Sequence, residues 1–290
     1  MPEINEWKIA CPIDTDFISY KTPSGAVHRL SLSGEGIINV FRIAFTLLHL
    51  EKGDVLLIDE PELSLHPQAQ KRLARTLLDL AKEHQIIVAT HSPYFVSWPA
   101  LANGAKLCRQ SLSERGETVC GTIADDTLKA ITKIVDSDIK NRRLYDVVAK
   151  EVFFADTVAF TEGLEDVHFI ENYLKDQDAL PLFGYGAGGW SNLEHFLKMA
   201  DELGIRAAAL FDGDKAEEYE RAKKTWSDKP HIGVFKLFKD DIRDKAAETV
   251  EVKAKEGVFD SKGVIHAGSE TQFKELIASI RSHLKPQAAG

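Results

Sequence analysis

At 290 residues, with 44% apolar and 28% charged side chains, the chain has ordinary globular composition and a length suited to about two domains. It contains no apolar run of about 18 residues, and Met1-Pro2-Glu3-Ile4-Asn5-Glu6 lacks the basic-then-apolar order of an export signal, so neither a membrane span nor secretion is indicated and a cytoplasmic location is expected. The net charge of −9 supplies no global attraction for nucleic acid, and Cys11, Cys108 and Cys120 form no C-x-x-C pair, so they are read as packing residues, not zinc ligands or a disulfide framework.

Residues 7–30 hold short extended runs broken by Pro12, Pro23 and Gly25, which suits a hairpin or sheet edge. From Ile37 to Leu50 apolar residues recur at steps of three and four, predicting a helix that starts on the turn Ser33-Gly34-Glu35-Gly36. Val55-Leu56-Leu57-Ile58 then runs straight into Asp59-Glu60 and reads as a buried strand delivering acids to its exposed end. A helix over about Gln68–Glu83 and a strand over Ile86–Ala89 follow. Between Cys108 and Ala155 a polar stretch and two amphipathic helical segments, around Thr127–Val135 and Arg142–Phe154, form a connector. The alternation then resumes: strand Thr157–Thr161, helix Glu165–Lys175, strand Leu180–Phe183, the glycine-rich Gly184–Gly189, helix 192–203 and strand Arg206–Phe211. Strands alternating with helices predict an α/β fold with mainly parallel sheets, divided as 1–110, 111–155 and 156–290.

Two sets of residues carry chemistry. In the first, Ser33 and Gly34 place a hydroxyl and backbone N–H groups at a helix N-terminus, a setting that favours an anion. Asp59 and Glu60 end one strand, and Ala89-Thr90-His91-Ser92 ends the next. This order and spacing resembles the second half of an ABC-type ATPase domain. The resemblance implies that Asp59 holds Mg²⁺, that Glu60 polarises the attacking water and that His91 contacts the terminal phosphate. The dipeptide Gly-Lys occurs nowhere in the sequence, so the phosphate-cradling P-loop is missing. In such ATPases the signature acts on nucleotide held by the opposite subunit. ATP is therefore expected only with a complementary P-loop-bearing chain, and hydrolysis by this chain alone is not expected. His66 is read as shaping the loop after the acids.

In the second set, Asp212 and Asp214, two apart at a strand end, would address one pocket at roughly 7 Å separation. Glu162 ends another strand and joins them, and Asp166, one helical turn on, reaches back. Hard oxygen donors without a His/Cys cluster select Mg²⁺ or Mn²⁺. Gly163 and Gly213 remove side chains where a phosphate backbone would approach. These residues resemble a Toprim domain, and an ABC-type ATPase followed by Toprim (a Rossmann-like parallel sheet) resembles the OLD (overcoming lysogenization defect) nucleases, which include the Gabija-type phage-defence nucleases. That family implies ATPase-regulated, metal-dependent cleavage or nicking of DNA by homo-oligomers, in phage defence or DNA processing. Arg243 stands where the family has a further glutamate, with Asp241 or Asp244 as the substitute acid. For the family's late lysine the candidates are Lys262, with Lys274 behind it. Lys236, Lys239, Arg243 and Lys245 offer a local DNA-facing patch. The competing expectation is a non-catalytic regulatory or assembly subunit that complements a P-loop-bearing partner.

Overall fold

The computed structural model describes residues 8–10, 18–22, 24–112, 116–137, 147–175, 179–247 and 254–285. Cys11, Pro12, Pro23 and the Arg142–Asp146 part of the second predicted connector helix lie outside them. The chain forms two compact units, Met1–Val96 and Ser97–Gly290.

In the first unit β1 (Lys8–Ala10), β2 (Ser19–Lys21) and β3 (Val27–Arg29) form an antiparallel sheet. Gly25, at φ +87°, makes the turn between the last two, in a backbone region that a Cβ disfavours. Helix α1 (Glu35–Leu48) starts on an extended Gly34. Strand β4 (Val55–Asp59), helix α2 (Pro67–Leu80) and strand β5 (Gln85–Ala89) form a parallel crossover, with Leu56 opposite Ile86 and Asp59 opposite Ala89. Helix α2 starts cleanly because Pro67 has no N–H to leave unpaired and the His66 ring accepts the Gln68 amide at 3.3 Å. That fixes His66 in the structural role expected of it. The run 55–58 is less buried than its composition predicts: Leu56 is covered, but Val55 and Leu57 are 53% and 70% exposed, and Ile87 on β5 is 50% exposed. Burial here alternates along β4 and β5, with Leu56 buried and Val55, Leu57 and Ile87 open.

The second unit begins with α3 (Trp98–Ala102), the hairpin β6 (Cys108–Leu112) and β7 (Thr118–Thr122), α4 (Asp125–Ser137), and α5 (Val147–Lys150), which runs into a 3-10 turn at Glu151–Phe154. The polar stretch expected after Cys108 is this hairpin, and the cysteine reading is also corrected. Cys108 and Cys120 are exposed and their sulfurs are bonded across the two strands. The connector belongs to the second unit. Arg109, 9% exposed, donates to the Ala155 carbonyl at 2.9 Å and to Asp156 at 2.8 Å, while Glu202 accepts from the Ala124 amide at 2.9 Å and the Thr127 hydroxyl at 2.7 Å.

The remainder runs β8 (Thr157–Thr161), α6 (Leu164–Leu174), α7 (Trp190–Glu202), β9 (Arg206–Phe211), α8 (Ala216–Thr225), β10 (Ile232–Lys236), β11 (Asp241–Arg243), β12 (Gly257–Phe259) and α9 (Glu270–Leu284). The sheet order is β10-β9-β8, all parallel, and the expected strand 180–183 reduces to a parallel bridge from Leu182 to Ala159. Alternation along the strands feeds two layers. Ala159, Ala208 and Leu210 pack with Ile170 of α6 and with Phe273, Ile277, Ile280 and Leu284 of α9. Phe160, next in sequence, joins Phe183 and Phe196 of α7 with ring centroids 5.1–5.5 Å apart. Each fully buried aromatic contributes roughly 1.5–3 kcal/mol, so this three-layer core holds the strand ends firmly. No helix among the described residues is long and apolar enough to cross a membrane.

Candidate metal centre

Because β8 and β9 are parallel neighbours with Thr161 opposite Leu210, their carboxyl ends emerge side by side, where open parallel sheets carry their ligands. Glu162 follows β8 directly, and its Oε1 accepts the Asp212 amide at 2.9 Å. At the start of α6 the Gly163 amide donates to Asp166 Oδ2 at 2.8 Å, which turns Asp166 back toward the strand ends. The glycine-rich turn clasps the same exit: the Ala187 and Gly189 amides donate to the carbonyls of Thr161 and Glu162 at 2.8 and 2.7 Å. Gly186 is needed there, since it sits at φ +66° and a Cβ would lie 2.5 Å from the Gly163 backbone. On the β9 side the Gly213 amide donates to the Lys239 carbonyl at 3.0 Å and the Asp214 amide to the Asp240 carbonyl at 3.3 Å. A Cβ on Gly213 would meet that Lys239 oxygen at 2.0 Å, so only glycine permits this approach, and the approach brings Asp241 alongside.

The result is a group of buried acids. One carboxylate oxygen each from Asp166, Asp212 and Asp241 lies within 4.8 Å of the others, and the residues are 7%, 7% and 0% exposed. Burial, followed by the charges of Glu162 and Asp241, pushes Asp166 up to about 7. Burial, then Asp166, Glu162 and Asp241, pushes Asp212 up to about 9. Burial also raises Glu162, against the opposing hydrogen bond from the Asp212 amide. Carboxylates this close and this dry hold protons unless a cation replaces them, and an all-oxygen donor set fits a hard divalent ion.

This membership differs from the expected one in two respects. Asp166, Asp212 and Asp241 come together, but Glu162 stands outside that group and meets it through the Asp212 amide, and Asp214 turns away, its oxygens held by Lys215 at 3.2 Å and Lys255 at 2.8 Å. The expectation used strand spacing, whereas β9 ends at Phe211, so Asp212 and Asp214 lie on a turn where residues two apart do not share a face. Burial works against Asp214 ionisation, yet its hydrogen bonds from Lys255 and Lys215 hold it below the usual carboxylate value.

The cations that reach the acids are Lys245, expected on the DNA-facing patch, and Lys255, which was not anticipated, while the expected late lysines Lys262 and Lys274 stay away. Lys245 Nζ lies 2.7 Å from Asp241 and Lys255 Nζ 3.3 Å from the same oxygen. Lys262 sits on the exposed turn closed by Asp260, and Lys274 pairs with Glu270 along α9 at 2.6 Å. The proposed basic patch is largely engaged: Lys239 with Glu256, Lys236 over the Tyr219 ring, and Arg243 with Glu165 at 2.7 and 3.2 Å. Asp244 accepts the Gly257 amide at 2.8 Å and faces His266 at 3.0 Å. Lys255 escaped the sequence reading; its only signal is its place two residues before Gly257-Val258-Phe259, the strand that pairs with Asp241–Arg243.

In the first unit the ATPase-like set comes together only in part, around the loop 60–65. Glu60, at φ +45°, donates its amide to the Ala89 carbonyl at 2.8 Å, so Asp59 and Glu60 stand beside the end of β5. Glu62, overlooked in the sequence, accepts the Thr90 hydroxyl at 2.7 Å and the His91 amide at 2.6 Å. Gly36 lets α1 approach this loop, since a Cβ would lie 2.3 Å from the Ser64 carbonyl oxygen, and Asn39 donates to the Leu63 carbonyl at 3.1 Å. The Ser33 hydroxyl is engaged with Tyr20 and the Arg29 carbonyl, both at 3.0 Å, while Gly34 leaves the N-terminus of α1 open.

Residues 5–96 match an AAA ATPase domain, and residues 153–214 match the Toprim domain of overcoming lysogenization defect protein-like proteins. The OLD nuclease of Thermus scotoductus is 27% identical over 212 residues, which are 69% of this chain and 39% of that protein. The Old nuclease of Escherichia phage P2 is 36% identical over 75 residues, 26% of this chain and 11% of that protein. A solved Smc head domain from Pyrococcus yayanosii is 19% identical with a TM-score of 0.33, over 44% of this chain and 25% of that one. The chain thus spans 39% or less of the length of these curated relatives. The Toprim match includes Glu162, Asp166, Asp212 and Asp214 and stops short of Asp241, Lys245 and Lys255.

Proposed function

Because this chain is an OLD-family fusion of an AAA-type ATPase segment with a Toprim domain, we propose that its second unit is a Mg²⁺- or Mn²⁺-dependent endodeoxyribonuclease. The observation that carries this reading is the convergence of Asp166, Asp212 and Asp241 at the carboxyl ends of parallel strands. When bound, a divalent ion there would lower the pKa of a water nucleophile and neutralise charge developing on a DNA phosphodiester. The three carboxylates would hold the ion, and Glu162 fixes the Asp212 backbone so that its side chain keeps its direction. Gly163, around whose missing Cβ nothing lies within 4 Å, leaves room for a sugar-phosphate backbone. Lys245 and Lys255 place fixed positive charge beside the acids, where it favours the extra negative charge of a phosphodiester under attack.

The first unit contributes Ser33, Gly34, Asp59, Glu60 and His91 toward a nucleotide site whose phosphate-cradling P-loop lies outside residues 1–290, with ATP as its ligand once that loop is supplied, in a homo-oligomer or by a P-loop-bearing partner. Incubation of the purified chain with supercoiled plasmid and Mn²⁺ tests the nuclease reading: nicked or linear product is expected. Intact plasmid, or equal cutting by Asp212→Ala, counts against it.

A second reading, a non-catalytic regulatory or assembly subunit, is favoured by one observation: Lys245, Lys255 and Lys215 already neutralise part of the acidic cluster. Equal Mn²⁺ affinity of the wild type and Asp212→Asn would support that reading over the first.

A further inference from the structure

The acids and lysines at the strand ends are arranged as if one of two cation positions were permanently filled by the protein itself. Lys255 Nζ bridges Asp214 Oδ2 at 2.8 Å and Asp241 Oδ2 at 3.3 Å, joining carboxylates from two separate segments as a bridging ion does. Lys245 Nζ reaches the same Asp241 oxygen at 2.7 Å, and the other Asp241 oxygen accepts the Ile242 amide at 2.9 Å. The two lysines are held in register by a pair of backbone hydrogen bonds, Lys245 amide to Lys255 carbonyl at 3.1 Å and the reverse at 2.9 Å. Asp214 is left out of the three-acid group, and both of its oxygens are engaged by ammonium groups. Arg243 adds no free acid or charge, since it is neutralised by Glu165.

From this geometry we infer that the centre takes a single divalent cation, held by Asp166, Asp212 and Asp241, and that Lys255 is a positioning residue standing where a second ion would otherwise bind between Asp214 and Asp241. The inference rests on the metal-dependent reading above and specifies its stoichiometry. Charge balance favours it. The five carboxylates of Glu162, Asp166, Asp212, Asp214 and Asp241 and the three ammonium groups of Lys215, Lys245 and Lys255 leave a formal −2, which one divalent ion cancels and two would overshoot. A second ion would also sit against two ammonium groups, a repulsion that partly buried surroundings strengthen.

The test is a Mn²⁺ titration of the full chain followed by electron paramagnetic resonance, in which loss of the free-ion signal counts bound ions and a coupled spectrum reports two ions close together. Expected are one ion for the wild type, one for Lys255→Arg, which keeps the charge, and two with a coupled spectrum for Lys255→Met. Two ions in the wild type would overturn the inference, as would a Lys255→Met protein that still binds one. Asp212→Asn separates the two levels of the argument: it should weaken Mn²⁺ binding at least tenfold. No binding by any form, or equal binding by Asp212→Asn, would overturn the metal-dependent reading itself and this inference with it.

Discussion

Strands β4 and β9 both run an apolar stretch into acids, and both pair in parallel, yet Leu57 of β4 is 70% exposed while every β9 residue after Arg206 is buried. What differs is the layering. In the second unit α7 covers one face of the sheet and α6 with α9 the other, whereas among the described residues of the first unit the face carrying Val55, Leu57 and Ile87 is open. The same sequence pattern therefore places Asp59 and Glu60 in solvent and Asp212 in a dry cluster whose carboxyl is pushed up to about 9, first by burial. An acid at a strand end becomes a tight cation ligand only when layers on both sides remove water from it.

The sharpest way to break this contrast is Asp212→Ala. If the buried cluster is the centre, plasmid cleavage in Mn²⁺ falls by more than about 100-fold, because even outer partners of metal ligands are worth about 10–100-fold. A smaller drop would mean that the cluster does not carry the chemistry. Next is the layering itself. Phe196→Ala, which empties a site between Phe160 and Phe183, should cost about 3–5 kcal/mol in urea-induced unfolding.

A third measurement concerns His283, which hydrogen-bonds the Ala207 carbonyl at 3.0 Å at the start of β9. Burial, then the neighbouring Arg206 and His231, hold its pKa below the ordinary histidine value of about 6.5 against the raising effect of its carbonyl partner. Below that value the unfolded chain binds the proton that the folded chain resists. Stability is thus present above about pH 6.5 and is lost as pH falls toward the folded value. Urea midpoints should drop on acidification through this window, and His283→Gln should flatten that part of the profile; an unchanged slope would remove the histidine from the account. The smallest effect is expected at Leu57→Ser, within about 0.5 kcal/mol by the same unfolding assay. A large loss would show that the open face of β4 is covered in solution.

Much of this was legible in the sequence where the signal is local. Apolar runs marked β4, β5, β8 and β9, and the steps of three and four marked α1, so an α/β fold with two acidic strand ends followed directly. Glu162, Asp166, Asp212 and Asp241 were all identifiable as candidate ligands. What was not legible depends on pairing between distant segments. Asp214 was misplaced because the end of β9 at Phe211 is set by hydrogen bonds to Leu237 and Lys239. Lys255 was invisible because its reach to Asp241 depends on its backbone bridge to Lys245. The hairpin 108–122 carries too little hydrophobic alternation to be read as strands, and its position is set by Arg109 finding the carbonyls of Ala155 and Leu203.

That arginine anchor has a practical consequence for anyone who wants the distal half by itself. A truncation beginning at residue 153, where the recognisable domain starts, would discard Trp98, whose ring lies 5.1 Å from that of Phe153, and would strip the hairpin and α4 from the outer flank of α7. Such a piece would expose greasy surface and aggregate, whereas cutting at Ser97 keeps the whole folding unit together.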